Sequence, residues 1–131
     1  MTSGGDAVLS LGMHPSAIDY SRYPGVTEEL LTERIEAGEA VLRDAGFDVV
    51  PCRLTSDDPD EAEEKIRDTV ANRRFPVVVI GAGLRMAEEY TPLFERVVNL
   101  LVELVPGIKF CFNTSPDTTI DALRRWTSAR V

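Results

Sequence analysis

Three short segments hold the residue types that could bind or transform a small molecule. The first runs His14-Pro15-Ser16-Ala17-Ile18-Asp19-Tyr20-Ser21-Arg22-Tyr23 and supplies an imidazole, a carboxylate, two phenols and a guanidinium in close succession. An imidazole exchanges protons near neutral pH and is tuned by whatever holds its second nitrogen, so His14 with Asp19 as orienting partner is the candidate acid–base pair. Tyr20, Arg22 and Tyr23 would form a polar flap, with Arg22 clamping a carboxylate or phosphate. In the second segment, Gly81-Ala82-Gly83-Leu84-Arg85, Gly81 and Gly83 would admit a ligand to the backbone and permit positive φ, and Arg85 offers a planar fork for an anion. The third, Asn113-Thr114-Ser115-Pro116, provides Asn113 and Thr114 as polar contacts, while helix capping accounts for Ser115 and Pro116.

None of these segments carries a signature that fixes a reaction. The glycine pair lacks the third glycine of a dinucleotide fingerprint and the lysine–hydroxyl pair of a phosphate loop, and the next helix is expected only at Thr91. One histidine and two cysteines inside apolar strands do not make a metal centre, and no tightly held cofactor is expected. Each segment also has a plain structural reading: His14 as a strand end, the flap as a loop pinned by its own tyrosines, the glycines as a tight turn.

The elements that would position these residues alternate as βαβαβαβα. Strands are expected over residues 7–13, 47–54, 76–80 and 108–112, and helices over about 27–45, from Pro59 under an Asp58 cap, over 91–105, and from Ser115-Pro116-Asp117 onward with Ile120, Leu123 and Trp126 on one stripe. Pro76-Val77-Val78-Val79-Ile80 is an uninterrupted apolar run, the mark of a parallel strand covered on both faces. Right-handed crossovers leave two common orders, and 2-1-3-4 puts this strand inside the sheet. The expected fold is thus a three-layer α/β/α sandwich on a four-stranded parallel sheet, one domain over 1–131. Strands 1 and 3 become neighbours at the point where the winding reverses, where such sheets open a crevice. The two long polar connections follow those two strands.

Composition narrows the partners. The chain has 131 residues with 14 basic against 22 acidic, a net charge of −8 with histidine neutral, which disfavours nucleic acid and anionic membranes. Cys52 and Cys111 read as buried packing, consistent with a reducing cytoplasm. Residues 1–6 carry no basic run, and the apolar stretch after them is strand length and broken by Ser10 and Gly12, so neither a secretion signal nor a membrane span is expected. Helix 92–105 is apolar around most of its circumference, which predicts a homodimer through its surplus face, the alternative being a broad interior face.

The stretches Ile18–Gly25, Val79–Arg85 and Cys111–Pro116 together resemble a set of small uncharacterised bacterial proteins of Rossmann-like or flavodoxin-like type, over nearly the whole chain. The resemblance implies a stand-alone α/β domain and brings no catalytic role with it. The functional expectation is a cytoplasmic protein that binds an anionic small molecule at the carboxyl edge of strands 1 and 3, as a metal-free acid–base enzyme using His14. The alternatives are a non-catalytic nucleotide- or metabolite-binding module, or an assembly subunit that uses helix 92–105.

Overall fold

A computed structural model describes residues 6–127; residues 1–5, part of the segment in which no secretion signal is expected, and 128–131 lie outside it. Four parallel strands, β1 (Asp6–Met13), β2 (Val49–Leu54), β3 (Arg74–Ile80) and β4 (Lys109–Phe112), stand in the order β2-β1-β3-β4. Five helices accompany them: α1 (Glu28–Asp44), α2 (Pro59–Val70), α3 (Ala82–Arg85), α4 (Thr91–Leu104) and α5 (Thr119–Arg124). The expected architecture and strand order are those observed.

Local chemistry explains the element ends. Thr27 caps α1 by accepting the Leu30 amide at 3.1 Å, and Gly46 releases the chain at φ +96°, a conformation that side-chain-bearing residues avoid. Asp58 caps α2 with Pro59 in its first turn, as the sequence indicates. Trp126, expected on the stripe of the last helix, lies beyond α5 and is 55 % exposed. That helix ends at Arg124, so the i+3 spacing from Leu123 no longer has a helix to act through.

The two faces of the sheet are packed unequally. Beneath α2 and α4 a dense cluster gathers Leu9, Leu11, Leu54, Ile66, Phe75 and Leu101, among others. On the opposite face, α1 and α5 cover a smaller cluster that includes Val8, Leu42, Phe47, Val49, Val77 and Leu123. Leu42 alone is fully buried along α1. The apolar breadth of α4 is largely absorbed within the chain: Leu93, Val97, Leu100 and Leu101 are buried, while Phe94, Val98, Leu104 and Val105 pack partly buried against the same core. Val102, 54 % exposed, is the aliphatic side chain left over. Arg96 on its polar stripe pairs with Asp60 and Glu63 of α2. Both cysteines are free and buried.

Candidate functional site

The site begins with the pleat of β1. Alternate residues point to opposite faces, so Ala7, Leu9, Leu11 and Met13 fill the α2–α4 side while Val8, Ser10 and Gly12 face α1. Register places Ser10 beside Pro51 and Val79, and Gly12 beside Arg53. Gly81 follows β3, and its amide donates to the Leu11 carbonyl at 2.9 Å, which continues the β1–β3 pairing to the sheet edge. Along this face side-chain volume therefore falls from valines to serine and glycine toward the carboxyl edge. A Cβ at Gly12 would stand 4.0 Å from both the Cα of Gly81 and the Arg53 Nη1, and one at Gly81 would stand 3.7 Å from the Leu11 carbonyl oxygen and 3.9 Å from the Cα of Gly12, ordinary contacts that leave the floor low at both positions.

That shortfall of volume is a cavity of about 540 Å³ between the sheet and α1. Its floor is Ser10, Gly12, Val79 and Gly81, its roof Leu31, Ile35, Gly38 and Leu42, and one wall the Asn113–Pro116 connection. Ile18, Tyr23, Gly83 and Met86 border it on the side of the two long connections. Those connections do meet: Arg22 of the first pairs with Glu89 of the second at 3.0 Å, and the Tyr90 hydroxyl donates to the Ala17 carbonyl at 3.0 Å.

The polar wall formed by Arg53 and Glu39 was not anticipated from the sequence. The Arg53 guanidinium donates to the Ser10 carbonyl at 2.7 Å, to the Ser10 hydroxyl at 3.2 Å and to Glu39 Oε2 at 2.5 Å. The two charged side chains are only 17 % and 15 % exposed. Burial pulls the Arg53 pKa down from its ordinary value and the Glu39 charge opposes that. The available signal was period-2 placement: Ser10, Gly12 and Arg53 interrupt apolar strands at positions that the pleat puts on one face.

The expected site residues divide. Tyr23, Gly81, Gly83, Asn113 and Thr114 border the cavity, whereas His14, Asp19, Tyr20, Arg22 and Arg85 do not. The expected His14–Asp19 pairing is not made. The His14 Nδ1 accepts the Ser16 amide at 3.0 Å, capping the 3-10 turn Pro15–Ala17, and lies 2.8 Å from the Ser16 hydroxyl. Asp19 caps the next such turn, Tyr20–Arg22, and hydrogen bonds from the Ser21 hydroxyl and amide hold its carboxyl below the usual range, with Arg22 adding to the effect. Both groups prefer partners two residues away, which form without ordering a longer segment. Tyr20 donates to the Pro15 carbonyl at 2.6 Å, so the flap is pinned by its tyrosines; burial, then Glu28 and Glu29, push that phenol up and keep it a donor.

The arginines expected to clamp an anion have protein partners. Arg22 is paired with Glu89 and Asp19. Arg85 donates to the Asn113 carbonyl at 3.0 Å and stacks over the Phe112 ring at 5.4 Å. Asn113 is itself a buried brace: its side-chain oxygen accepts the Ala82 amide at 3.0 Å and its amide nitrogen donates to Thr119 at 2.8 Å. Thr118 Oγ1 accepts the Thr114 and Ser115 amides at 2.9 and 3.2 Å, which secures the turn into α5 as a cap.

Two expectations about the glycine segment are corrected. A helix does start directly after Gly81, the single turn α3, because the Asn113 side chain takes up its first free amide. Neither Gly81 nor Gly83 has positive φ; among the described residues that conformation belongs to Gly25, Gly46 and Gly107. The segment's glycines matter for the room they leave. Among the described residues no group of three or more His, Cys, Asp or Glu is gathered to hold a metal ion, and no helix is long and apolar enough to cross a membrane. No protein-family model matches the chain, and no curated protein matches it in sequence.

Proposed function

We propose that this protein is a non-catalytic binding module for a small organic molecule, seated in the cavity between α1 and the carboxyl edge of β1 and β3. The observation that carries the reading is the coincidence of an open, mostly apolar volume of about 540 Å³ with the point where the sheet's winding reverses. Ligand pockets commonly fall in the range of about 300–1,000 Å³, line themselves with hydrocarbon and keep a few fixed polar groups. Leu31, Ile35 and Leu42 supply the hydrocarbon; Glu39, Arg53 and the hydroxyl-bearing Asn113–Pro116 connection supply the polar groups. Binding is favoured over acid–base catalysis because His14 does not border this volume and its Nδ1 is engaged by Ser16. An anion-selective site is disfavoured because Arg22 and Arg53 are paired with carboxylates and Arg85, bound to the Asn113 carbonyl, does not border the cavity. Binding in a reducing cytoplasm suits two free buried thiols. Self-association through α4 has only Val102 as its exposed aliphatic anchor, so we read that helix as internal packing.

The test is a thermal-shift screen of amines, nucleosides, sugar phosphates and organic acids against the wild-type chain and Gly12→Val. A side chain at Gly12 projects from the cavity floor, so compounds that stabilise the wild type should lose that effect in the variant while its unliganded circular dichroism is unchanged. Stabilisation that is equal in both proteins would place binding elsewhere and refute the reading.

A further inference from the structure

Which ligand the cavity takes follows from its unpaired polar atoms, on the premise that it is the binding site proposed above. Asn113 uses both ends of its side chain on Ala82 and Thr119, and the Thr114 and Thr118 hydroxyls face each other at 3.2 Å. Arg53 is anchored to the sheet through two bonds to Ser10 and cannot turn to a ligand without leaving a strand carbonyl and hydroxyl behind. Glu39 differs. Its Oε2 receives Arg53, but among the described residues no hydrogen bond reaches Oε1, on a side chain that is 15 % exposed and borders the cavity.

An ionised carboxylate oxygen only accepts, so the group that completes it is a donor. Arg53 and Glu39 are the charged residues along the described lining, and the chain carries −8 overall, so the surrounding field draws cations inward. We infer that the ligand is an organic amine: a protonated nitrogen that donates to Glu39 Oε1, carried on an apolar body lying against Leu31, Ile35 and Leu42. The ammonium touches Oε1 while Arg53 holds the other oxygen, so attraction acts over a shorter distance than repulsion and prevails. Tyr23 and Met86, both exposed at the rim, give the apolar body an aromatic and a polarisable contact.

Three probes with one skeleton and different heads decide it: 4-phenylbutylamine, 4-phenylbutanol and 4-phenylbutyrate, titrated near neutral pH and followed by amide chemical shifts at Gly12, Gly81 and Gly83. The amine should bind at least about tenfold more tightly than the carboxylate, with the alcohol between them. Glu39→Gln leaves Arg53 without its counter-ion and should reverse the order of amine and carboxylate. Should that variant not fold, the wild-type order decides alone. Carboxylate binding equal to or tighter than amine binding would overturn the inference and leave the cavity a binding site. Absence of shifts with all three probes, together with a screen in which no compound distinguishes wild type from Gly12→Val, would overturn the binding reading itself.

Discussion

Gly38→Ala is the substitution whose sign tests how α1 is held over the cavity. In a helix interior, alanine is favoured over glycine by about 1 kcal/mol, so helix propensity alone predicts stabilisation. The packing says otherwise. A Cβ at Gly38 would lie 2.8 Å from the Pro116 carbonyl oxygen, 3.4 Å from its carbon and 3.5 Å from the Pro116 side chain. The obstructing atom is backbone, in a turn that Thr118 pins through the amides of Thr114 and Ser115, so it cannot rotate away as a flexible side chain would. Overpacking of this kind costs roughly 1–3 kcal/mol. Set against the propensity gain, the net expectation is a loss of about 1 kcal/mol, or about 3–5 °C in Tm for a domain of this size. The assay is urea unfolding followed by circular dichroism, with Gly83→Ala as the control. There a Cβ would meet only the Ile18 Cδ1, at 3.7 Å, so the control should be neutral or slightly stabilised. A Gly38→Ala protein as stable as wild type, or more so, would refute the reasoning that α1 and the turn into α5 are in rigid contact.

Other outcomes follow from the buried polar groups. Asn113→Ala removes the acceptor for the Ala82 amide and the donor to Thr119, and should cost about 2–3 kcal/mol in urea unfolding; Asn113→Asp, which keeps the acceptor, can be compared with it, and an alanine variant of wild-type stability would refute the bracing role. Arg53→Met strands the shielded Glu39 carboxylate and should cost on the order of 2–3 kcal/mol, much of it recovered in Arg53→Met/Glu39→Leu. Strictly additive losses in that double-mutant cycle would show that the pair is not coupled. Burial pushes the Cys111 thiol from its ordinary value of 9.0 up to about 11, with Arg125 opposing. Because the folded value is the higher one, the associated stability is complete below pH 9 and declines as pH rises toward 11, which urea midpoints across that window should register. The same burial predicts that a thiol reagent at pH 8 labels Cys111 in urea but not in the native protein, and rapid native labelling would contradict it.

Much of the fold was legible because its signals are local. The Val77–Ile80 run announces an interior strand, Thr27 and Gly46 bracket α1, Asp58-Pro59 opens α2, and the two long connections follow the two strands that become neighbours. Other patterns are less decisive because one local arrangement suits two outcomes. Apolar residues around α4 suit a surplus face or a broad internal one; within the chain most of them pack against the sheet and α2, with Val102 left exposed. His14 and Asp19 are complementary in chemistry, but each bonds a nearer partner, Ser16 and Ser21.

By itself, then, the sequence determined the alternation of elements, the central place of the valine strand, and hence the edge at which β1 and β3 end side by side, because periodicity, caps and chain direction act over a few residues. Tertiary structure alone decided where the usable volume lies and which charges face it. Ser10, Gly12 and Gly81 become one floor only when β1 and β3 are in register, and Arg53 meets Glu39 only when β2 and α1 are packed against β1. The partners of Arg22 and Arg85 were likewise set by contacts between distant segments, Glu89 for the first and the Asn113 carbonyl for the second.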